Sequence, residues 1–314
     1  MAGVEKAGEC ARPAVSAIVC TYNRAGRLER ALRALGRQTP PPGGMEIVVL
    51  DDGSTDETPQ VCARLAGELG NLVYVSGGAN GGLSRARNMG AAAARGEFLL
   101  FIDDDCIAEP DWAVRMTESL RAEPVVAGAI GTLYGDYVQL CHNIAQLHGF
   151  MPCQKAGKVA LMAGANMGFR RAALEEVGGF REGLRYAEDM DIALRAREHG
   201  YRPYLNPDAV VTHDPDRSTF RAIFAYAAAH AARTIHLRNA HRASLRTPFV
   251  LRSPVLLLCA SPVIALAVTL RIYLSSAALA RRFTTAPVVY ALKVAWCIGA
   301  AQGLRHPPAT PETA

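Results

Sequence analysis

The chain has 314 residues, half of them hydrophobic and 20% charged, and neither its 28 Gly nor its 18 Pro suggests disorder; one large α/β domain with an appendage fits that length. The net charge of +5 divides unevenly, with 22 basic against 28 acidic side chains in residues 1–216 and 12 against one in residues 217–314. A basic, apolar tail on an acidic body points to anionic lipid head groups, and its wealth of Leu, Val and Ala argues against nucleic acid.

Residues 1–14 read as a loose leader without the charged-then-apolar pattern of an export signal, so the body is expected in the cytoplasm. Eight scattered cysteines with no CxxC pair fit reduced thiols there. Residues 15–20 (VSAIVC) are an apolar run of the kind buried in a parallel sheet. Tyr22 and Arg24 follow it, then Leu28, Leu32 and Leu35 at helical spacing. A second strand over 46–50 ends in Asp51-Asp52-Gly53-Ser54, and Ser54 or Thr55 can cap the next helix. A third strand is expected over 72–75, and a glycine turn at 80–84 opens a helix to Ala94. A fourth strand over 97–102 runs into Asp103-Asp104-Asp105. Strands alternating with helices in this way imply a parallel, doubly wound sheet, which binds ligands at the carboxyl ends of its strands. Those ends carry Tyr22, Asp51, Asp52 and the acidic triplet. Further on, a strand is expected over 162–170, a short helix over 172–177, and a helix over 187–199 opened by Glu188 and Asp189.

Three adjacent carboxylates repel one another, and Mg²⁺ or Mn²⁺ would relieve that repulsion while bridging to a diphosphate. A solvated acidic loop or a cap before Trp112 is the plain alternative. The Asp51–Ser54 turn can accept hydrogen bonds from a base or ribose, or simply cap a helix. Tyr22 can stack on a base or fill the core. Asn80-Gly81-Gly82 with Arg85 and Arg87 suits a phosphate at a helix start, although such glycine turns are common. A carboxylate at a helix N-terminus, here Glu188 or Asp189, can serve as a general base or only as a cap. His213 follows a short strand as a further metal ligand or a satisfied histidine. The cluster Cys141, His142, His148 and Cys153 matches no common zinc spacing.

Six stretches resemble, in order, the family 2 glycosyltransferases of the GT-A fold: VSAIVCTYNR, IVVLDDGSTDET, NGGLSRARNMG, GEFLLFIDDDC, AGANMGFRRAALEEVGGF and AEDMDIALRAREHGYR. They cover roughly residues 15–215. The resemblance implies a Rossmann-like mixed sheet flanked by helices, with a nucleotide-binding half over 15–107 and an acceptor half over 108–216. It implies that Asp52 binds the nucleoside with Tyr22 beside the base, and that Asp103 and Asp105 are the outer residues of a DxD metal motif. Asp104 fills its middle position and is assigned with Arg85 to the nucleotide. Asp189 is then the general base with Glu188 supporting it, and His213 lies near the diphosphate. The implied enzyme is inverting and takes Mg²⁺ or Mn²⁺ and a nucleotide-sugar, with a UDP-sugar favoured. The acceptor is left open between a lipid-linked sugar, a polysaccharide precursor and a secondary metabolite.

The tail over 217–314 is expected to be helical and to lie on the inner face of the cell membrane. Residues 220–245 look like one amphipathic helix with Arg238, Arg242 and Arg246 in a ladder. Residues 253–270 are an uncharged run, and 283–303 are apolar apart from Lys293. A membrane hairpin would put Arg271, Arg281 and Arg282 outside, against the positive-inside tendency, which favours helices in the interface. The alternative is a soluble helical cover for the acceptor site. Two other functions compete with sugar transfer. A sugar nucleotidyltransferase would want a glycine- and basic-rich loop after the first strand, and residues 20–27 are poor in glycine. A silent binding protein would need neither the triplet nor a base.

Overall fold

The run VSAIVCT becomes β1 (Val15–Thr21), buried on both faces because helices cover the sheet from either side. It lies inside a 9-stranded sheet in a computed structural model that describes residues 12–132, 136–184, 186–215 and 217–306. The chain continues through α1 (Ala25–Leu35), β2 (Met45–Asp51), α2 (Thr58–Leu69), β3 (Leu72–Ser76), α3 (Leu83–Ala93), β4 (Phe98–Asp103), β5 (Cys106–Ala108) and α4 (Trp112–Ala122). It then forms β6 (Val125–Thr132), α5 (Tyr137–Leu147), β7 (Gly157–Lys158), β8 (Asn166–Arg170), α6 (Arg171–Glu176), α7 (Glu188–Glu198) and β9 (Tyr204–His213). The leader to residue 11, with Cys10, lies outside the described residues; the cysteines among the described residues are free.

The sheet order is β3-β2-β1-β4-β8-β6-β9-β5, with β7 on β9. The first four strands are parallel, as their alternation with helices implies, but β8 runs antiparallel to both β4 and β6. The sheet is therefore mixed, α/β in class. Register places Thr21 beside Asp51 and Cys20 beside Asp103, so the carboxyl ends of β1, β2 and β4 finish level. On the other half, β9 pairs with β5 so that His213 faces Cys106. Where the β6–β9 register shifts, β9 carries three extra residues (207–209) opposite the Gly128–Ala129 step, and buried Asn166 bridges the gap: it accepts from Trp112 Nε1 at 2.9 Å and donates to the carbonyls of Ala129 and Ala209. That satisfied network ties α4, β6, β8 and β9 together beneath the site.

The tail consists of α8 (Phe220–Ala240), α9 (Arg242–Leu245), α10 (Pro254–Leu274), α11 (Ala277–Ala280) and α12 (Ala286–Arg305). The expected arginine ladder does not form, because α8 ends at Ala240, Arg246 adopts φ 50°, and Arg238 turns inward over the Trp296 ring. Helix α12 packs between α8 and α10. Its approach to α8 is backbone-close: a Cβ on Gly299 or Gly303 would lie 2.0 or 2.2 Å from the carbonyl oxygen of Ala228 or Ala232. Helix α10 buries Leu257, Ala265, Thr269 and Ile272 and turns Leu256, Val263, Leu266, Leu270 and Leu274 outward at helical spacing. Two segments, Pro254–Leu274 and Phe283–Arg305, are long and apolar enough to cross a membrane.

Candidate active site

Because the parallel strands end level, the residues just past them form one rim. Asp51 faces inward and accepts from the Tyr74 hydroxyl and the Ser54 amide, each at 2.8 Å. Asp52 points the other way and pins the glycine turn, accepting from the amides of Gly81 at 3.0 Å and Gly82 at 2.8 Å. Gly53 between these turns has φ 84°, and a Cβ there would lie 2.3 Å from the Gly78 carbonyl oxygen, so only glycine fits. Tyr22 is 44% exposed on the same rim, available for stacking rather than used in the core.

The three triplet side chains diverge. Asp104 is buried and locks β1 to β4, accepting from the Thr21 hydroxyl at 2.8 Å and from Arg24 at 2.9 Å. Burial pushes its carboxyl up to about 6 against the pull of Arg24. Asp105 meets Arg24 at 3.4 Å and Arg27 at 3.9 Å, with its Oδ1 3.6 Å from His213 Nε2. Burial, reinforced by Asp103, raises its carboxyl as well. Burial also holds His213 neutral, down to about 4. His213 Nδ1 lies 3.2 Å from Asn143 Oδ1, and the tautomer that donates there turns the Nε2 lone pair towards Asp105.

Asp105 and His213 thus present an oxygen and a nitrogen donor, and a crowd of raised carboxylates that a cation would relieve. Among the described residues no three such side chains converge as a complete ligand set. That is compatible with Mg²⁺ or Mn²⁺, which binds through one or two protein groups and completes its shell with water and substrate phosphate.

Asp103 reaches a different partner. The buried Arg87 guanidinium donates to Asp103 at 3.0 Å, to Glu188 at 2.6 Å and to the Gly164 carbonyl at 3.0 Å, joining the triplet to the start of α7. Asp189, next to Glu188, accepts from the amides of Gly164 at 3.0 Å and Met190 at 2.7 Å. Burial raises the pKa values of both carboxyls, Arg87 opposing it at each and those amides at Asp189. Ala187, just before them, takes the left-handed conformation at φ 61°, a strained turn that aims Asp189 inward.

Tyr22, Asp52, Asp103, Asp104, Asp105, Glu188, Asp189 and His213 all line one cavity of about 510 Å³. Arg85 does not line it; at the start of α3 its guanidinium turns back onto the carbonyls of Gly77 and Ala79, 3.7 Å from Asp52. The inward-facing arginine of that helix is Arg87, two positions on, and it meets carboxylates. The cavity is also lined from α5 and the tail by His142, Arg217, Tyr226 and His230, and by Tyr186. Sequence reading passes over Arg217, Tyr226 and His230, which carry no motif, and meets His142 only in a Cys/His cluster that matches no zinc spacing. Only Arg24, directly after the first strand, had a positional signal.

A family model described as Glycosyl transferase family 2 matches residues 16–178, and one described as Glycosyl transferase family group 2 matches residues 99–299. The chain is 28% identical over 217 residues to the glucosyl-dolichyl phosphate glucuronosyltransferase of Haloferax volcanii, covering 63% of this chain and 68% of that protein. It is 26% identical over 203 residues to glycosyltransferase AglE of the same organism, covering 64% and 67%. Among solved structures it resembles a mannosyltransferase from Pyrobaculum calidifontis in complex with GDP-Man and Mn²⁺, with TM-score 0.59 and 24% identity over 90% of this chain and 86% of that one. At that identity the likeness establishes the fold, which is GT-A-like.

Proposed function

Since this chain belongs to glycosyltransferase family 2 and is thus a transferase acting on sugars, we propose that it moves a sugar from a nucleotide diphosphate donor to an acceptor hydroxyl with inversion. The observation that carries this is the convergence of Asp52, the acidic triplet and Asp189 on one cavity at the carboxyl ends of the strands. Tyr22 and Asp52 hold the nucleoside at the glycine turn. Asp189 takes the proton from the acceptor hydroxyl as its oxygen bonds to the anomeric carbon and the bond to the diphosphate oxygen breaks. A raised carboxyl makes Asp189 a stronger base, and the two amides keep it oriented. A divalent cation held by Asp105 and His213, with Asp103 nearby, would neutralise charge on the departing diphosphate.

The outward apolar stripe of α10, with exposed Arg252, Arg271 and Arg281 at its flanks, supports a tail lying in the interface of the cytoplasmic leaflet. The same tail covers the acceptor side through α8, so the acceptor is membrane-adjacent or lipid-linked.

The test is binding and hydrolysis of UDP-, GDP- and dTDP-sugars by the full chain with Mn²⁺, Mg²⁺ or EDTA, UDP-sugars first. One nucleotide bound in a metal-dependent manner, weakened in Asp105→Ala, is expected. With the acceptor present, Asp189→Asn is expected to slow transfer by roughly a hundredfold or more while nucleotide binding persists. A folded protein that binds no nucleotide in any condition refutes the proposal.

A further inference from the structure

The geometry points to a phosphate-recognising acceptor subsite, built by Arg217, His142, Tyr226 and His230, so that the acceptor is a phosphorylated compound; this rests on the transferase reading above. Tyr226 is the centre of the cluster. The Arg217 guanidinium lies 3.9 Å from its ring centroid, His230 stacks on it at 5.6 Å and 19°, and His142 meets it edge-on at 5.1 Å. Tyr226 and His230 are one turn apart on α8, His142 comes from α5, and Arg217 from the segment after β9. Three separate elements therefore converge on one wall of the cavity.

The charge balance of that wall differs from the rest of the site. Arg24, Arg27 and Arg87 each pair with carboxylates. Among the described residues, Arg217 pairs with no acid; it is positioned by a ring instead. Arg233 repeats the arrangement 3.9 Å from the ring centroid of Tyr186, whose side chain also lines the cavity. His142 is 2% exposed, and its Nδ1 has no hydrogen-bond partner. Burial keeps the imidazoles neutral, down to about 3 for His142 and about 4 for His230, so each carries an N–H donor. A neutral polyol needs no fixed cation. A planar guanidinium held on a ring beside N–H donors matches phosphate oxygens.

The experiment measures equilibrium binding to the full chain in mild detergent. Its probes are citronellyl phosphate against citronellol, glucose 6-phosphate against glucose, and a nucleoside diphosphate in the same preparation. At least one phosphorylated probe is expected to bind roughly tenfold or more tighter than its neutral counterpart. Preference for citronellyl phosphate identifies a lipid phosphate, and preference for glucose 6-phosphate a soluble one. Arg217→Met should abolish the preference. His230→Phe, which keeps the stack on Tyr226 and removes the N–H, should reduce it by a smaller factor, so the reading does not depend on one variant folding. Wild-type protein that binds nucleotide but shows no phosphate preference overturns this inference alone. So does a preference that survives in a folded Arg217→Met protein, including the case where nucleotide binding is lost instead and the guanidinium serves the donor. Failure to bind any nucleotide overturns the donor reading and this inference with it.

Discussion

Replacing Arg87 by Met removes a side chain that joins the acidic triplet to the start of α7. Arg87 is 2% exposed and bonds Glu188 at 2.6 Å and Asp103 at 3.0 Å. The Asp103 side chain is 33% exposed, so water can replace its partner and its share of the loss is small. The Glu188 side chain is 12% exposed and would keep an uncompensated charge. Breaking a buried pair from one side costs about 3–5 kcal/mol, and the half-open site favours the lower end. The sign with pH follows from Glu188. Burial raises its folded pKa, and Arg87 opposes that rise, so the variant pKa climbs further. The folded variant then holds a proton that the unfolded chain has released, and its stability increases as pH falls towards the ordinary carboxylate range. Urea unfolding of wild type and Arg87→Met in mild detergent, followed by far-UV circular dichroism, should show a deficit of about 3 kcal/mol at pH 8 that narrows by about 1–2 kcal/mol at pH 5.5. The acidic limb of the transfer rate should move to higher pH. A deficit below about 1 kcal/mol at pH 8, or one independent of pH, refutes the role given to this pair.

Two further outcomes test the tail. Gly299→Ala places a Cβ 2.0 Å from the Ala228 carbonyl oxygen, so α8 and α12 must part by about an ångström to reach an ordinary C···O distance. A loss of about 1–3 kcal/mol is expected by denaturant titration, with a raised acceptor KM because Tyr226 and His230 ride on α8; an unchanged midpoint and KM speak against backbone-close packing. The double substitution Leu266→Asp/Leu270→Asp, both on the exposed stripe, should release the protein from anionic vesicles in flotation while leaving its far-UV spectrum intact. Full retention on vesicles removes α10 from the membrane contact.

The nucleotide half of the fold is readable in the sequence because its strands are short apolar runs that each finish in polar residues, as at Asp51-Asp52 and Asp103. The parallel alternation reads correctly as far as β4. It misleads beyond that because β8 enters antiparallel, and β6, with glycines at 128 and 131, lacks a distinct period. For the site, register brings the strand-end acids Asp51 and Asp103 level with the end of β1, while Asp189 is placed by the turn at Ala187 and the Gly164 amide. Arg85 and Arg87, both expected at a phosphate, part company because two residues on a helix is a rotation of about 200°, and only the packed structure says which one faces in. The His142–Tyr226–His230 wall is invisible beforehand as a unit: it joins two helices far apart in sequence, and the Cys/His cluster that includes His142 points elsewhere.

The glycine contact between α8 and α12 has a mechanical consequence. Side chains between two helices act as a soft layer that can absorb small displacements by changing rotamer. At Gly299 and Gly303 that layer is missing, and α12 rests on the α8 backbone while its other side carries α10. A shift of α10 under lateral load is therefore passed to α8, and with it to Tyr226 and His230, with little compliance in between. The helix with the outward apolar stripe and the inner wall of the cavity are thereby linked by backbone-close packing. Were α10 to lie in a bilayer as proposed, bilayer tension or thickness would enter the rate of sugar transfer through the position of two rings.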